Sequence, residues 1–194
     1  MFYNGGFTLK LANLFDIDFL FNKKDYYPLQ QENKLDYELD YQLHNIRSKE
    51  FVILSIHKND DNTIILYGKY HEESEGDTFI HLGLRIFSLN GLHNTHPKLL
   101  ASFSEDYSGI EIYDIDIEEK NANKGYGSIL MTHLIALAEE RKVKVITGWL
   151  SNVDENHLDR LSHFYQKHGF KVNLKHCKTN PKQIGAIQRN MIKC

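Results

Sequence analysis

The run Asn123-Lys124-Gly125-Tyr126-Gly127-Ser128 constrains this chain most, because of what flanks it. Upstream, Ile110, Ile112, Ile115 and Ile117 alternate with Glu111, Asp114 and Asp116, the pattern of a half-buried strand. In that alternation Asp114 and Asp116 are expected on the face opposite Glu111. Downstream, Ile129, Leu130, His133, Leu134, Leu137 and Ala138 recur at helical spacing. A strand therefore feeds a glycine-rich turn, and the turn opens a helix. That order builds an anion site. The first amides of a helix lack internal partners, and the helix dipole adds partial positive charge. Gly125 and Gly127 let backbone approach a phosphate, and Lys124 adds a full charge. The pattern points to a phosphorylated cofactor. It is neither a dinucleotide fingerprint, since Leu130 stands at the third glycine position, nor a P-loop.

The second half continues in the same style. Lys142 to Leu150 reads as a strand, and Ser151, Asn152 and Asp154 as turn or N-cap residues. Leu158, Leu161, Tyr165 and His168 share a helical face, and Gly169 stands where a C-terminal cap belongs. Phe170 to Leu174 and Ile184 to Ile192 read as further strands. In the first half, Glu32 to Ser48 is read as a helix with Leu35, Leu39, Leu43 and Ile46 on one face. Phe51 to His57 and Thr63 to Tyr70 form a hairpin, with turn residues Lys58 to Asn62 between them. Thr78 to Leu89 is a long strand and Leu99 to Phe103 a short one. The first thirty residues are mixed and aromatic.

These residues resemble the GNAT superfamily, the acyl-CoA-dependent N-acetyltransferases. Its signature, Arg/Gln-x-x-Gly-x-Gly/Ala at the head of the central helix, overlays Ala122-Asn123-Lys124-Gly125-Tyr126-Gly127. A second marker, an aromatic-Tyr pair ahead of Gly-Phe, fits Phe164-Tyr165 and Gly169-Phe170. The resemblance covers Gly109 to Phe170. It implies an α/β (α+β) fold: a mixed, mostly antiparallel central sheet flanked by helices and splayed between two central parallel strands. Residues 1–194 are then a single domain. Residues 109–174 are its acetyl-CoA-binding core, and 1–48 a variable segment that shapes the acceptor site. One position departs from the signature. Ala122 replaces the side chain that helps hold the pyrophosphate loop, and Lys124 is the available substitute charge.

The resemblance also implies the chemistry. Direct attack of an amine on a thioester needs a proton acceptor for the amine, polarisation of the carbonyl and a proton for the thiolate. Tyr165 is the candidate general acid, against the reading of a core tyrosine with its hydroxyl capped. Glu111, fourteen positions before Gly125, is the candidate base, against the reading of a solvent-facing strand carboxylate. Ile115, Asp116 and Ile117 are expected to meet the pantetheine arm through their backbone. Asn123, Lys124, Gly125, Tyr126, Gly127 and Ser128 are expected at the pyrophosphate. Asn152 is either a contact to the cofactor arm or an N-cap. The co-substrate is acetyl-CoA, and the acceptor a small-molecule or peptide amine. The alternative is a non-catalytic acyl-CoA-binding or regulatory module on the same fold. A homodimer through the last strands is common for the fold, but no residue here specifies one.

Composition excludes other classes. The net charge of −3 and pI near 6.4 leave no basic patch for nucleic acid. Cys177 and Cys194 make no disulfide framework, which fits a cytoplasmic chain. No apolar run is long enough to span a membrane, and the N-terminus does not read as a secretory signal. Eleven histidines invite a metal reading, with His93-x-x-His96 as its best fragment, but no zinc spacing completes it, and no metal is expected.

Overall fold

In the computed structural model, the described residues are 34–59, 61–70, 78–175 and 180–191. Expectations for the first thirty residues and both cysteines lie outside them. The helix read from Glu32 to Ser48 is α1, Lys34–Arg47, and the expected hairpin is β1, Val52–Lys58, with β2, Thr63–Tyr70. Then come β3 (Phe79–Ser88), β4 (Gly91–Leu92), β5 (Lys98–Phe103) and β6 (Gly109–Asp116). A 3-10 turn, Glu119–Asn121, leads into α2 (Tyr126–Glu140). After β7 (Val145–Ser151) a second 3-10 segment precedes α3 (Leu158–Lys167), β8 (Lys171–Leu174) and β9 (Gln183–Asn190). Two compact units divide the chain, Met1–Lys34 and Leu35–Cys194. Apart from Lys34, these elements belong to the second.

The strands form one mixed sheet in the order β1-β2-β3-β5-β6-β7-β9-β8, with β4 paired to β3. All pairings are antiparallel except β6 with β7, which is parallel. Alternation sorts the side chains to two faces. On one face Leu82, Leu84, Leu99, Ala101, Ile110, Ile112 and Ile146 pack with Leu130, Met131 and Leu134 of α2. On the other, Ile65, Tyr67 and Phe87 pack with Ile46, Leu39 and Leu43 of α1, the stripe expected from its spacing. A helix on each face leaves the middle of the sheet dry on at least one side, which is what a long strand such as β3 requires.

The strand expected from Lys142 starts three residues later. Lys142 takes the left-handed conformation, with φ 56°. Its N–H bonds the Glu139 carbonyl at 3.1 Å, and the Val143 N–H reaches back to Ala138 at 2.9 Å. Lys142 thus terminates α2 in the way glycine usually does. Gly169, with φ 78°, does so for α3, as its sequence position suggested.

His81 on β3 is a buried titratable group of the α1 face. It is 5% exposed, with the Phe51 ring edge-on at 5.2 Å. Burial first, then the Lys98 charge, lower its pKa from 6.5 to about 4. The unfolded chain therefore takes up this proton at a higher pH than the native one. Stability is fully present above pH 6.5 and drains away as the pH falls toward 4. Each tenfold difference in proton affinity between the two states is worth roughly 1.4 kcal/mol, so this site accounts for a loss of up to about 3 kcal/mol. Urea unfolding at pH 7 and pH 4.5 is expected to show that drop in the wild type, and a smaller one in His81→Phe.

Candidate functional site

The site begins where two central strands part. β6 and β7 pair from Gly109 with Val145 to Ile112 with Gly148, and there the pairing ends. Both strands continue, β6 to Asp116 and β7 to Ser151, each held by its other neighbour. A notch therefore opens between Tyr113–Asp116 and Trp149–Ser151. Its apex is tight: a Cβ on Gly148 would lie 3.1 Å from the Ile112 carbonyl oxygen and 3.1 Å from Ile187.

A β-bulge sets the same point on the opposite edge of β6. Ile112 pairs with Ala101, but the next pair on β5 is Leu100 with Asp114, so Tyr113 is the extra residue. The bulge changes which face the acidic residues share. Asp114 and Asp116 pair with Leu100 and Lys98, on the face of Ser102, the partner of Glu111. They therefore project to the same face as Glu111, and the expectation of opposite faces is corrected. The signal was present in the sequence: the isoleucine spacing breaks phase between Ile112 and Ile115.

The glycine turn lies beyond β6. Asn123 and Gly125 both have positive φ, 64° and 84°, and Gly125 is the N-cap of α2. No side chain caps this helix end, and the first helical bond is the Ile129 N–H to the Gly125 carbonyl at 3.1 Å. Among the described residues nothing accepts from the amides of Tyr126, Gly127 and Ser128, so they are available to an anion. The two glycines differ in purpose. A Cβ on Gly125 would meet nothing within 4 Å, whereas one on Gly127 would lie 2.8 Å from Ile117 and 3.1 Å from the Phe164 ring. Gly127 therefore lets α2 close against β6 and α3, rather than clearing space for a ligand. Lys124 is not a free charge: its Nζ donates to Asn121 Oδ1 at 2.9 Å.

Tyr165 is 7% exposed, on α3 between the rings of Phe164 at 5.3 Å and Phe170 at 5.6 Å. Burial, and then the charges of Asp154 and Asp114, raise its pKa well above the ordinary 10. Tyr165 belongs to the core cluster, as the competing expectation had it, and no described residue pairs with its hydroxyl. Asp114 is itself raised, by burial first and then by Asp116. Tyr165, Asp114 and Asp154 thus form one electrostatic neighbourhood at the notch, and sequence reasoning missed Asp114 as part of it.

Glu111 lies one residue before the apex of the notch, where β6 is still paired with β7 through Thr147, and it lines a cavity of about 540 Å³ toward the start of these strands, with Ser102, Glu105, Asp106, Tyr113 and Thr147. The Tyr113 hydroxyl is 2.6 Å from Ser102 Oγ. Hydrogen bonds from Ser104 and Ser108 hold the Asp106 carboxyl down to about 2, so it stays anionic. None of the lining residues is basic. Ile115 and Ile117 pack their side chains into the core, and Asp116 meets Lys98 at 3.4 Å. Asn152 opens the 3-10 segment after β7 with its side chain exposed, and it is not the cap. Ser151 is, accepting from the Val153 N–H at 3.3 Å. His96 engages a guanidinium, with its Nδ1 accepting from Arg85 at 2.6 Å. No group of three or more His, Cys, Asp or Glu among the described residues is placed to hold a metal ion. No helix among them is long and apolar enough to cross a membrane.

The contrast between the glycines is measurable. Gly127→Leu is expected to cost about 1–3 kcal/mol in urea unfolding, by forcing Ile117 and Phe164 apart. Gly125→Asn keeps a residue that tolerates positive φ and is expected to cost only about a few tenths.

The chain also matches known proteins. A curated relative, the uncharacterized protein YocC of Bacillus subtilis (strain 168), is 42% identical over 91 residues, or 47% of this chain and 50% of that protein. The chain thus spans half the length of that relative. Among solved structures, the PaiA N-acetyltransferase of Thermoplasma acidophilum in complex with coenzyme A is 15% identical. The alignment covers 58% of this chain and 61% of that one, with a TM-score of 0.43. The ribosomal-protein-S18-alanine N-acetyltransferase of Escherichia coli is 13% identical, covering 59% and 71%, with a TM-score of 0.41. The model of the Acetyltransferase (GNAT) family matches residues 19–170, a span that holds the splayed strands, the glycine turn, α2 and α3. With most of its length matched, the chain belongs to the GNAT acetyltransferase family.

Proposed function

We propose that this protein moves an acetyl group from acetyl-CoA to a primary amine by direct attack in a ternary complex. The observation that carries the reading is the notch between β6 and β7, open beside the uncapped N-terminus of α2. The amides of Gly125 to Ser128 receive the pyrophosphate, with Asn123 and Lys124 on the rim. The backbone of Ile115, Asp116 and Ile117 offers the pantetheine arm a strand edge that β7 does not use. Asn152 borders the arm from the β7 side.

Tyr165 donates its phenolic proton to the departing thiolate as the carbon–sulfur bond breaks and the nitrogen–carbon bond forms. Its raised pKa keeps that proton in place at neutral pH. Glu111 takes the proton that the amine gives up, from the wall of an acidic cavity that suits a cationic acceptor. Asp114 is the competing base, favoured by its raised pKa and its place past the bulge. The acceptor is a small-molecule or peptide amine.

Calorimetry with acetyl-CoA tests the cofactor site. The wild type is expected to bind, and Gly125→Glu to lose binding, because a carboxylate then projects toward the phosphates. A wild type that does not bind overturns the reading. With an acceptor found by amine screening, Tyr165→Phe is expected to lose about 10²- to 10⁴-fold in turnover while keeping cofactor affinity. Cofactor binding without turnover of any amine would instead favour an acyl-CoA-binding module. The pH profile of kcat/KM separates the carboxylates. Loss of the acidic limb in Glu111→Gln assigns the proton to Glu111. A limb that survives there and vanishes in Asp114→Asn assigns it to Asp114.

A further inference from the structure

Ala122 brings only a methyl group to the glycine turn, yet the turn is tied down from one residue earlier. Asn121 ends the 3-10 turn Glu119–Asn121 and is 4% exposed, although Asn123, Lys124 and Gly125 beside it face solvent. Its side-chain Nδ2 donates to Thr95 Oγ1 at 2.9 Å, and its Oδ1 accepts from Lys124 Nζ at 2.9 Å. Thr95 is 3% exposed. Burying an amide and a hydroxyl is costly unless they satisfy each other, so this pair has one stable arrangement.

The Thr95 end is anchored in the sheet. The His93 N–H bonds the Ile86 carbonyl at 2.9 Å, and the Leu84 N–H bonds the Pro97 carbonyl at 2.9 Å. Arg85, fully buried on β3, donates to His96 Nδ1. The segment before β5 is therefore fixed at three points along β3. Through Thr95 and Asn121 that rigidity reaches Lys124 and the two positive-φ residues that head α2.

We propose that Thr95 and Asn121 are positioning residues for the pyrophosphate site, holding Lys124 and the glycine turn in ligand-ready geometry in place of a polar side chain at Ala122. Neither residue touches the cofactor; both act through the turn. The ammonium is pinned in advance, so less side-chain entropy is lost when an anion arrives. The inference rests on the acetyl-CoA reading above and goes beyond it in naming what makes the turn competent.

The test uses two ligands, acetyl-CoA by calorimetry and S-acetylpantetheine, which lacks the pyrophosphate, by NMR titration. Thr95→Val removes the hydroxyl at nearly constant shape and is expected to weaken acetyl-CoA binding about tenfold. Thr95→Ser keeps the hydroxyl and is expected to restore it. Affinity for S-acetylpantetheine is expected to stay unchanged in both. Lys124→Met, at an exposed position, serves if Thr95→Val fails to fold, with the same expected split between the ligands. Unchanged acetyl-CoA affinity in the variant, or equal weakening of both ligands, overturns the proposal. A wild type that binds no acetyl-CoA instead sinks the cofactor reading itself.

Discussion

The site depends on a sheet that stops pairing in its middle. Four parallel pairs join β6 to β7, and then each strand follows its other neighbour. Parallel strands in a continuous sheet would have no reason to separate, since every free N–H and C=O left behind costs energy unless water or a ligand meets it. Two local features mark the point of separation. Gly148 sits so close to the Ile112 carbonyl that the pair ends in contact, and the Tyr113 bulge turns β6 at the next residue. Bulges bend a strand and increase its twist, so the divergence is built into the backbone. The open edge that results is a polar surface beside an apolar core, with Tyr113, Asp114, Asp116 and Trp149 exposed along it.

The glycine-headed helix has meaning only beside that edge. An uncapped helix N-terminus is a common feature, and alone it specifies little. Here Gly127 lets Ile117 and Phe164 draw α2 against the end of β6 and the start of the Tyr165 pair. Phe164 packs against Tyr165 and His168, and His168 Nε2 lies 3.2 Å from Ser128 Oγ. One small residue thus couples the uncapped end of α2 to the helix carrying Tyr165. The spacing between that helix end and the notch is then a property of packed side chains, not of a flexible loop.

Much of this was legible in the sequence, and the exceptions have physical causes. The strand–turn–helix order, the α1 stripe and the Gly169 cap follow from periodicity and backbone preference, which act locally. Lys142 escaped because a lysine took a left-handed role that composition assigns to glycine. Asp114 escaped because alternation was carried through Tyr113, although Ile112 and Ile115 are three apart. The Thr95–Asn121 contact was beyond reach, since nothing in either residue's neighbourhood announces a partner twenty-six positions away.

Asp114 also shows how a backbone irregularity alters chemistry. Without the bulge it would face the core, where an unpaired carboxylate is costly. With it, three β6 carboxylates, Glu111, Asp114 and Asp116, share one face within six residues. Burial first, and then Asp116, raises the pKa of Asp114; burial first, and then Asp154 and Asp114, raises that of Tyr165. Both shifts favour the protonated form. A raised affinity keeps the Tyr165 proton in place at neutral pH, and it lets a carboxylate hold one briefly there. The acidity of this face therefore does more than attract cations. Together with burial, it raises the proton affinities at the point where the strands part.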